Sequence, residues 1–214
     1  MSEGLRERQH QKDGILEAAL MHAAFDGWSR KTLMAAATDL GIERSDALRL
    51  FPQGGNSLLD WLDGWADRRM LDAVDIDELA AMPIRRRIAT LVRARFEALQ
   101  PHREAVRRAV AARSVPPSTL QGGRSLWRTV DVIWQTALPG PETDQGISYY
   151  TRRATLSGVL VSTLLYWLDD HSEGATDSWA FLDRRIEDVM RFGKFSAQFT
   201  GMLGHIPGFR PAAR

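Results

Sequence analysis

The sequence contains no cysteine among its 214 residues. Without thiols the chain cannot carry a disulfide scaffold, a thiolate nucleophile or a Cys-ligated zinc site. This composition fits a reducing compartment. The first residues also show neither an export signal nor a transit pattern, so we expect a cytoplasmic protein.

A strong net charge and a long apolar run are also missing. The 28 basic and 27 acidic residues leave a formal charge of +1, so no overall basicity attracts nucleic acid or an anionic bilayer. The longest apolar-rich stretch, 154–168, is shorter than the roughly 20 residues of a membrane-spanning helix and contains several hydroxyl side chains. We expect this stretch to form a buried helix.

Groupings that support catalysis or metal binding are absent as well. The five histidines are scattered, and none belongs to a spacing typical of metal ligands. Gly54-Gly55 and Gly122-Gly123 lack the preceding strand and the Lys-Ser/Thr pair of a phosphate loop, so we interpret both as turns. The sequence therefore predicts a protein that is not an enzyme, with no catalytic residue, no metal and no cofactor.

Apolar residues recur at spacings of three and four almost throughout the chain, whereas two-residue alternation between turn signals does not occur. This pattern predicts an all-α fold with one compact core. Two short helices around Gly41, the second capped by Ser45-Asp46, are typical of a helix-turn-helix. Asn56 or Ser57 is predicted to cap the longer helix that follows.

The predicted helix-turn-helix has the wrong charge for DNA. From Thr32 to Asn56 there are two cations and three acids, a net charge of −1. Affinity for DNA depends mainly on cations that neutralise phosphates. We therefore interpret this unit as a helix-turn-helix that keeps its architecture but has lost the contacts to DNA. We predict no nucleic-acid partner. A DNA-binding regulator with a small hydrophobic effector is the alternative.

A dense arginine stripe follows at residues 85–113. Nine arginines and two acids give this segment a net charge of +7, and we expect them on the outer face of two helices that are split near Pro101. Two interpretations stay open. The stripe is either ordinary solvated surface or a surface that attracts anionic headgroups or an acidic partner.

Large apolar and aromatic side chains fall on the inward stripes of the later helices. Such stripes form either a packed core or the wall of an apolar tunnel, in which each buried CH₂ of a lipid gains about 0.8 kcal/mol. The candidate lipid-binding residues are Phe96, Trp127, Val130, Trp134, Leu156, Leu160, Leu164, Trp167 and Phe181, and Tyr166 and Trp179 fall on the same stripes.

Three motifs in the second half of the chain resemble one family. They are the run from Val130 to Trp134, the segment Tyr150-Thr151-Arg152-Arg153-Ala154, and the pattern Trp179-x-Phe-Leu-x-x-Arg185 with Asp188 and Met190. Together they resemble the COQ9 family of ubiquinone biosynthesis. The match is weaker over residues 14–60. Within this range, the run from Phe25 to Leu59 resembles the N-terminal domain of TetR regulators. Leu48 and Gly54 replace the Tyr and Lys with which those regulators usually contact DNA phosphates.

The resemblance implies a fold, a function and partners. It implies a TetR-like homodimer whose C-terminal helical bundle encloses an apolar cavity for an isoprenoid lipid or quinone intermediate. It also implies that a non-enzymatic accessory protein presents this lipid to the demethoxyubiquinone hydroxylase at the surface of the inner membrane. The implied hydroxylase-binding residues are Asp131, Tyr149, Tyr150, Arg152 and Arg153. For Arg152 or Arg153, a structural salt bridge to Asp131 or to an acid of the last helix is the alternative.

The sequence divides into three predicted regions. Residues 1–65 form the helix-turn-helix unit, residues 66–193 the lipid-binding bundle, and residues 194–214 a short amphipathic tail. The tail either contacts the membrane or packs back on the bundle. Its apolar face consists of Phe195, Phe199, Met202, Leu203 and Ile206.

Overall fold

A computed structural model describes residues 3–114, 118–140 and 147–203, with side chains placed for 3–114, 119–140 and 149–189. Every regular element in these ranges is helical, so the predicted all-α fold is confirmed. The helices are α1 (Glu3–Asp26), α2 (Arg30–Asp39), α3 (Arg44–Leu50), α4 (Gly55–Asp72), α5 (Ile76–Ala81), α6 (Ile84–Leu99), α7 (Arg103–Arg113), α8 (Ser118–Ala137), α9 (Ile147–Leu168) and α10 (Thr176–Leu203). Short 3₁₀ turns, Gln100–His102 and Glu173–Ala175, precede α7 and α10.

The chain forms two compact units, of which the first ends at Ser157 and the second begins at Gly158. The predicted boundaries after residues 65 and 193 fall inside α4 and α10, so neither coincides with a helix end. Because α10 continues through Gly193, the tail predicted from residue 194 begins within this helix.

The first two helices follow the predicted pattern. The buried face of α1 consists of Ile15, Leu16, Ala19, Leu20 and Ala23. Gly27 adopts a φ of 71° and ends the helix, and the Ser29 side chain caps α2 by accepting a hydrogen bond from the backbone N–H of Thr32. Between the two helices, Nε1 of Trp28 donates to the carbonyl of Ala105 at 2.8 Å and so joins the α1–α2 turn to α7.

The caps predicted for α3 and α4 are wrong. Glu43 is the N-cap of α3 and Gly54 that of α4, so the predicted cap residues lie inside the first turns. Gly54 has a φ of 58°, and a Cβ atom at Gly55 would overlap the carbonyl oxygen of Trp28. Close backbone approach, which only glycine permits, therefore fixes the start of α4.

A buried ion network joins α4, α6 and α8. Arg95 is only 9% exposed, and its Nε donates to Asp67 at 2.8 Å, while the hydroxyl of Thr129 also donates to Asp67 at 3.0 Å. Burial alone would lower the pKa of Arg95, but the carboxylates of Asp67 and Asp63 outweigh burial and raise it. The prediction that all nine arginines lie on an outer face is thus wrong for Arg95.

Two more arginines of the stripe stabilise the fold through hydrogen bonds to backbone carbonyls. Arg113 donates to the carbonyl of Leu59 at 2.7 Å and also pairs with Asp63. Arg87 donates to the carbonyls of Ala80, Met82 and Ala137, which lie at the ends of α5 and α8, where a cation stabilises unpaired carbonyls. Arg85 and Arg86 remain exposed.

In the second unit, Asp170 organises the turn between α9 and α10. This buried carboxylate accepts hydrogen bonds from the backbone N–H and the hydroxyl of both Ser172 and Ser178. Burial tends to raise the pKa of Asp170, yet these four hydrogen bonds outweigh it, so the pKa lies well below its usual value. Nearby, the rings of Tyr166 and Phe181 stack at 4.5 Å. No helix in the described part of the chain combines the length and apolarity needed to cross a bilayer.

Candidate functional site

The candidate site is a cluster of aromatic and charged side chains on α8 and α9, hereafter the aromatic–arginine cluster. Its members are Trp127, Asp131 and Trp134 of α8 together with Tyr149, Tyr150, Arg152 and Arg153 of α9. The α8 members are spaced by four and three residues, which places them on one face of that helix. The α9 members occupy its first two turns, at the end of α9 that lies in the first unit.

Arg153 is the buried centre of this cluster. Its side chain is 1% exposed, and its Nε donates to Oδ1 of Asp131 at 2.6 Å. The guanidinium carbon also lies 3.4 Å from the centroid of the Tyr149 ring, within the range of a cation–π contact. Arg153 therefore positions a carboxylate on one helix and an aromatic ring on the other.

Tyr150 and Arg152 form the accessible part of the cluster. Tyr150 is 63% exposed, and its ring lies 5.1 Å edge-on from the Tyr149 ring and 6.1 Å from the Trp127 ring. Arg152 is also exposed, with its guanidinium 5.9 Å from the Trp134 ring. An exposed tyrosine and an exposed arginine over half-buried indole rings are the residue types that anchor protein interfaces.

The structure changes the roles of three residues predicted from the sequence. Arg153 is buried, and its guanidinium engages Asp131 and Tyr149, so its direct contact with a partner stays a prediction. The alternative, a structural salt bridge to Asp131, is what the geometry shows. Conversely, Trp127 and Trp134 were predicted only as lipid-binding residues, although both lie beside exposed members of the cluster. Their spacing of −4 and +3 from Asp131 on α8 is the sequence signal that identifies them.

The predicted lipid-binding residues differ in their burial. Phe96, Val130, Leu156, Leu160 and Trp167 are buried, whereas Trp127, Trp134, Leu164 and Phe181 are half-buried. Of the further aromatics on the predicted inward stripes, Trp179 is buried, but the prediction is wrong for Tyr166, which is 39% exposed. Contact with lipid stays a prediction for all of these residues.

The predicted membrane residues lie at or beyond the end of α10. Phe195, Phe199, Met202 and Leu203 belong to this helix, and Ile206 lies outside the described residues. Membrane contact through this segment stays a prediction.

A pocket in the first unit is lined by charged pairs. This pocket of about 280 Å³ lies between α1 and α4 and includes Asp13, Glu17 and Trp65. Asp13 accepts from Arg68 at 2.6 Å, and Glu17 accepts from Arg69 at 2.7 Å, so these two carboxylates of the pocket are already paired. Within the described part of the chain, no group of three potential metal ligands occurs.

The helix-turn-helix presents few cations. On α3, Arg49 pairs with Asp46 at 3.0 Å, and Glu43 caps the same helix. The acids of α3 therefore offset the charge that a DNA-reading helix directs at phosphates. Gly54, at the position where TetR regulators usually have a lysine, is buried and supplies no side chain.

The fold is similar to that of a solved structure. A solved TetR transcriptional regulator from Nitrosomonas europaea matches with a TM-score of 0.67 and 22% identity, covering 83% of this chain and 96% of that chain. This likeness concerns the fold, and it confirms the predicted TetR-like all-α architecture.

The motifs define the family that the chain resembles. The COQ9 family model matches residues 120–193, which include the whole aromatic–arginine cluster. The ubiquinone biosynthesis protein COQ9, mitochondrial, of Xenopus tropicalis is 27% identical over 199 residues, covering 90% of this chain and 62% of that protein. Its Homo sapiens counterpart is 26% identical over 202 residues, covering 92% and 62%. The chain thus spans about three-fifths of the length of these relatives, and its predicted resemblance to the COQ9 family is confirmed.

Proposed function

We propose that this protein acts in ubiquinone biosynthesis as a non-enzymatic, lipid-binding accessory protein. In this role it presents a polyprenylated quinone intermediate to the demethoxyubiquinone hydroxylase at a membrane surface. The names of the relatives, which cover about 90% of this chain, support the pathway.

The aromatic–arginine cluster is the observation on which the proposal depends. A polar pair, Arg153 with Asp131, holds Tyr149 in place, while Tyr150 and Arg152 are left exposed beside it. A buried ion pair contributes little net stability, because desolvation offsets most of the attraction between the charges. Its use here is to fix the positions of aromatic side chains that a partner protein contacts, and we assign that partner as the hydroxylase.

The apolar face of α9 supports the lipid component. Leu156, Val159, Leu160 and Trp167 are each at most 5% exposed and recur along one side of the helix. We place the prenyl tail against this face, where each CH₂ of the tail that leaves water gains about 0.8 kcal/mol.

A pull-down with the hydroxylase encoded in the same genome tests the partner assignment. Tyr150→Lys places a charge at the exposed centre of the cluster, and we expect the hydroxylase to be lost while the helical content and unfolding transition stay unchanged. Phe25→Lys is the matched control, because Phe25 is an exposed aromatic residue (82%) on α1, outside the cluster. Retention of the hydroxylase by Tyr150→Lys, or its loss from both variants, would contradict the assignment.

The pathway itself is tested by deletion of the gene. The proposal predicts less ubiquinone and more of the demethoxylated intermediate in extracted lipids. Wild-type protein should restore the quinone profile and Tyr150→Lys should not. Unaltered quinone levels after deletion would refute the pathway assignment.

A further inference from the structure

The hydroxyl of Thr163 has no hydrogen-bond partner. This residue lies on α9 in the second unit and is 0% exposed. Among the described residues, Oγ1 of Thr163 is the buried side-chain oxygen or nitrogen without a partner. Buried polar groups are nearly always satisfied, so an exception requires an explanation.

Other hydroxyls of the same helix do not share this property. Thr155 donates to the carbonyl of Thr151 at 2.7 Å, Ser157 to that of Arg153 at 2.8 Å, and Ser162 to that of Val159 at 3.1 Å. Such back-bonding is the usual solution for a threonine or serine within a helix. Thr163 is one residue from Ser162, yet its hydroxyl is not satisfied in this way.

The hydroxyl also interrupts an otherwise apolar face. Val159 and Leu160 lie one helical turn before Thr163 and Trp167 lies one turn after it, and these three side chains are between 0% and 4% exposed. A valine would fill nearly the same volume without an unpaired oxygen. The polar atom therefore stands alone on the face that the proposed function assigns to lipid.

We propose that the Thr163 hydroxyl recognises the oxygenated head group of the bound lipid. A hydroxyl can donate to a ring carbonyl of a quinone or accept from a ring hydroxyl of the reduced form, so it suits either redox state. A hydrocarbon chain without such a group leaves the oxygen unpaired and is disfavoured, which gives selectivity for a prenylated ring over a simple polyprene. This assignment rests on the proposed lipid-binding function and adds the residue that distinguishes one lipid class from another.

The test compares two probes and three variants of the full-length protein. The probes are a benzoquinone with a short prenyl chain and an all-hydrocarbon polyprene of equal carbon number. Partition of each probe between detergent micelles and protein, quantified by mass spectrometry, gives the dissociation constants. We expect Thr163→Val to weaken quinone binding roughly fivefold, as for loss of one hydrogen bond, and to leave the hydrocarbon unchanged. Thr163→Ser, which keeps the hydroxyl, and Ser162→Ala, which removes the neighbouring hydroxyl, should both bind like wild type.

The outcomes separate this inference from the function on which it rests. If wild type binds neither probe, the lipid-binding function itself fails and the inference fails with it. If quinone binds equally to wild type and Thr163→Val, the function stands and the inference is overturned. Ligand-free Thr163→Val should be at least as stable as wild type. A clear loss of stability would show that water or backbone already satisfies the hydroxyl, which would also overturn the inference.

Discussion

Nε of Arg153 lies 2.6 Å from Oδ1 of Asp131 and joins two helices of the candidate site. The same guanidinium covers the ring of Tyr149 at 3.4 Å, next to the exposed Tyr150. The charged pair and the exposed aromatic surface are therefore parts of one arrangement, and disturbing the buried part should disturb the exposed part.

Arg153→Met tests this coupling. Methionine keeps much of the volume but removes the charge-assisted hydrogen bond, and we expect a loss of about 2 kcal/mol in the free energy of unfolding. Because Tyr149 loses its cation, hydroxylase binding should also weaken, although Tyr150 is unchanged. Urea unfolding and the pull-down measure the two effects. Arg184→Met, at an exposed position of α10, is the control. Wild-type stability and wild-type hydroxylase binding of Arg153→Met would contradict the coupling between the Arg153–Asp131 pair and the exposed aromatic surface.

Arg95→Met should be strongly destabilising. It leaves the buried carboxylate of Asp67 without its cation, and breaking a buried pair from one side costs about 3 to 5 kcal/mol. The double variant Arg95→Met with Asp67→Asn should regain part of this loss, because no unpaired charge then remains. Urea unfolding of the single and double variants checks the prediction. Equal stability of the Arg95→Met variant and wild type would contradict the buried network.

The lowered pKa of Asp170 predicts that the free energy of unfolding decreases at acid pH. Its pKa is lower in the folded protein than in the unfolded chain, so its contribution is complete above the unfolded pKa of about 3.9. The contribution is lost as the pH falls toward the folded pKa. Asp170→Asn should therefore destabilise the protein by about 2 kcal/mol at pH 7 and by progressively less below pH 4. Urea midpoints of both proteins at pH 7, 4 and 3 measure this difference, and a difference that stays constant with pH would refute the assignment.

Weak or no binding to DNA is expected from the helix-turn-helix. Its net charge of −1 between Thr32 and Asn56 and the pairing of Arg49 with Asp46 leave little charge for phosphates. A gel shift with the intergenic DNA beside the gene checks this at two salt concentrations. Tight binding that falls steeply with salt would favour the regulator alternative instead.

Periodicity in the sequence predicted most of the helices, but it did not predict the charge pairs. The stripes of α1 and the division of α6 from α7 follow from local spacing and from Pro101. Arg95 was predicted on a surface because its partner Asp67 lies 28 residues away in sequence. The pair of Arg153 with Asp131, 22 residues apart, was predicted only as an alternative. Pairs at such separations depend on how helices pack, which spacing within one helix does not encode.

Periodicity in the sequence also failed to predict a short helix, the course of α10 and an unpaired hydroxyl. The six-residue α5, capped by Asp75, is too short for periodicity to reveal. The tail was predicted to begin at residue 194, yet α10 continues through Gly193, since an isolated glycine weakens a helix without ending it. Thr163 gave no sequence signal at all, because its sequence neighbours are ordinary helix residues and only the folded structure shows an unpaired oxygen.

The lipid content of the purified protein tests the central claim most directly. Protein from a ubiquinone-producing host should be gel-filtered, extracted with organic solvent and analysed by mass spectrometry, with an unrelated helical protein treated in parallel. The account predicts prenylated ring compounds in near-stoichiometric amount in the first extract and their absence from the second. Extracts that contain no prenylated ring compound, or the same lipids in both samples, would contradict it.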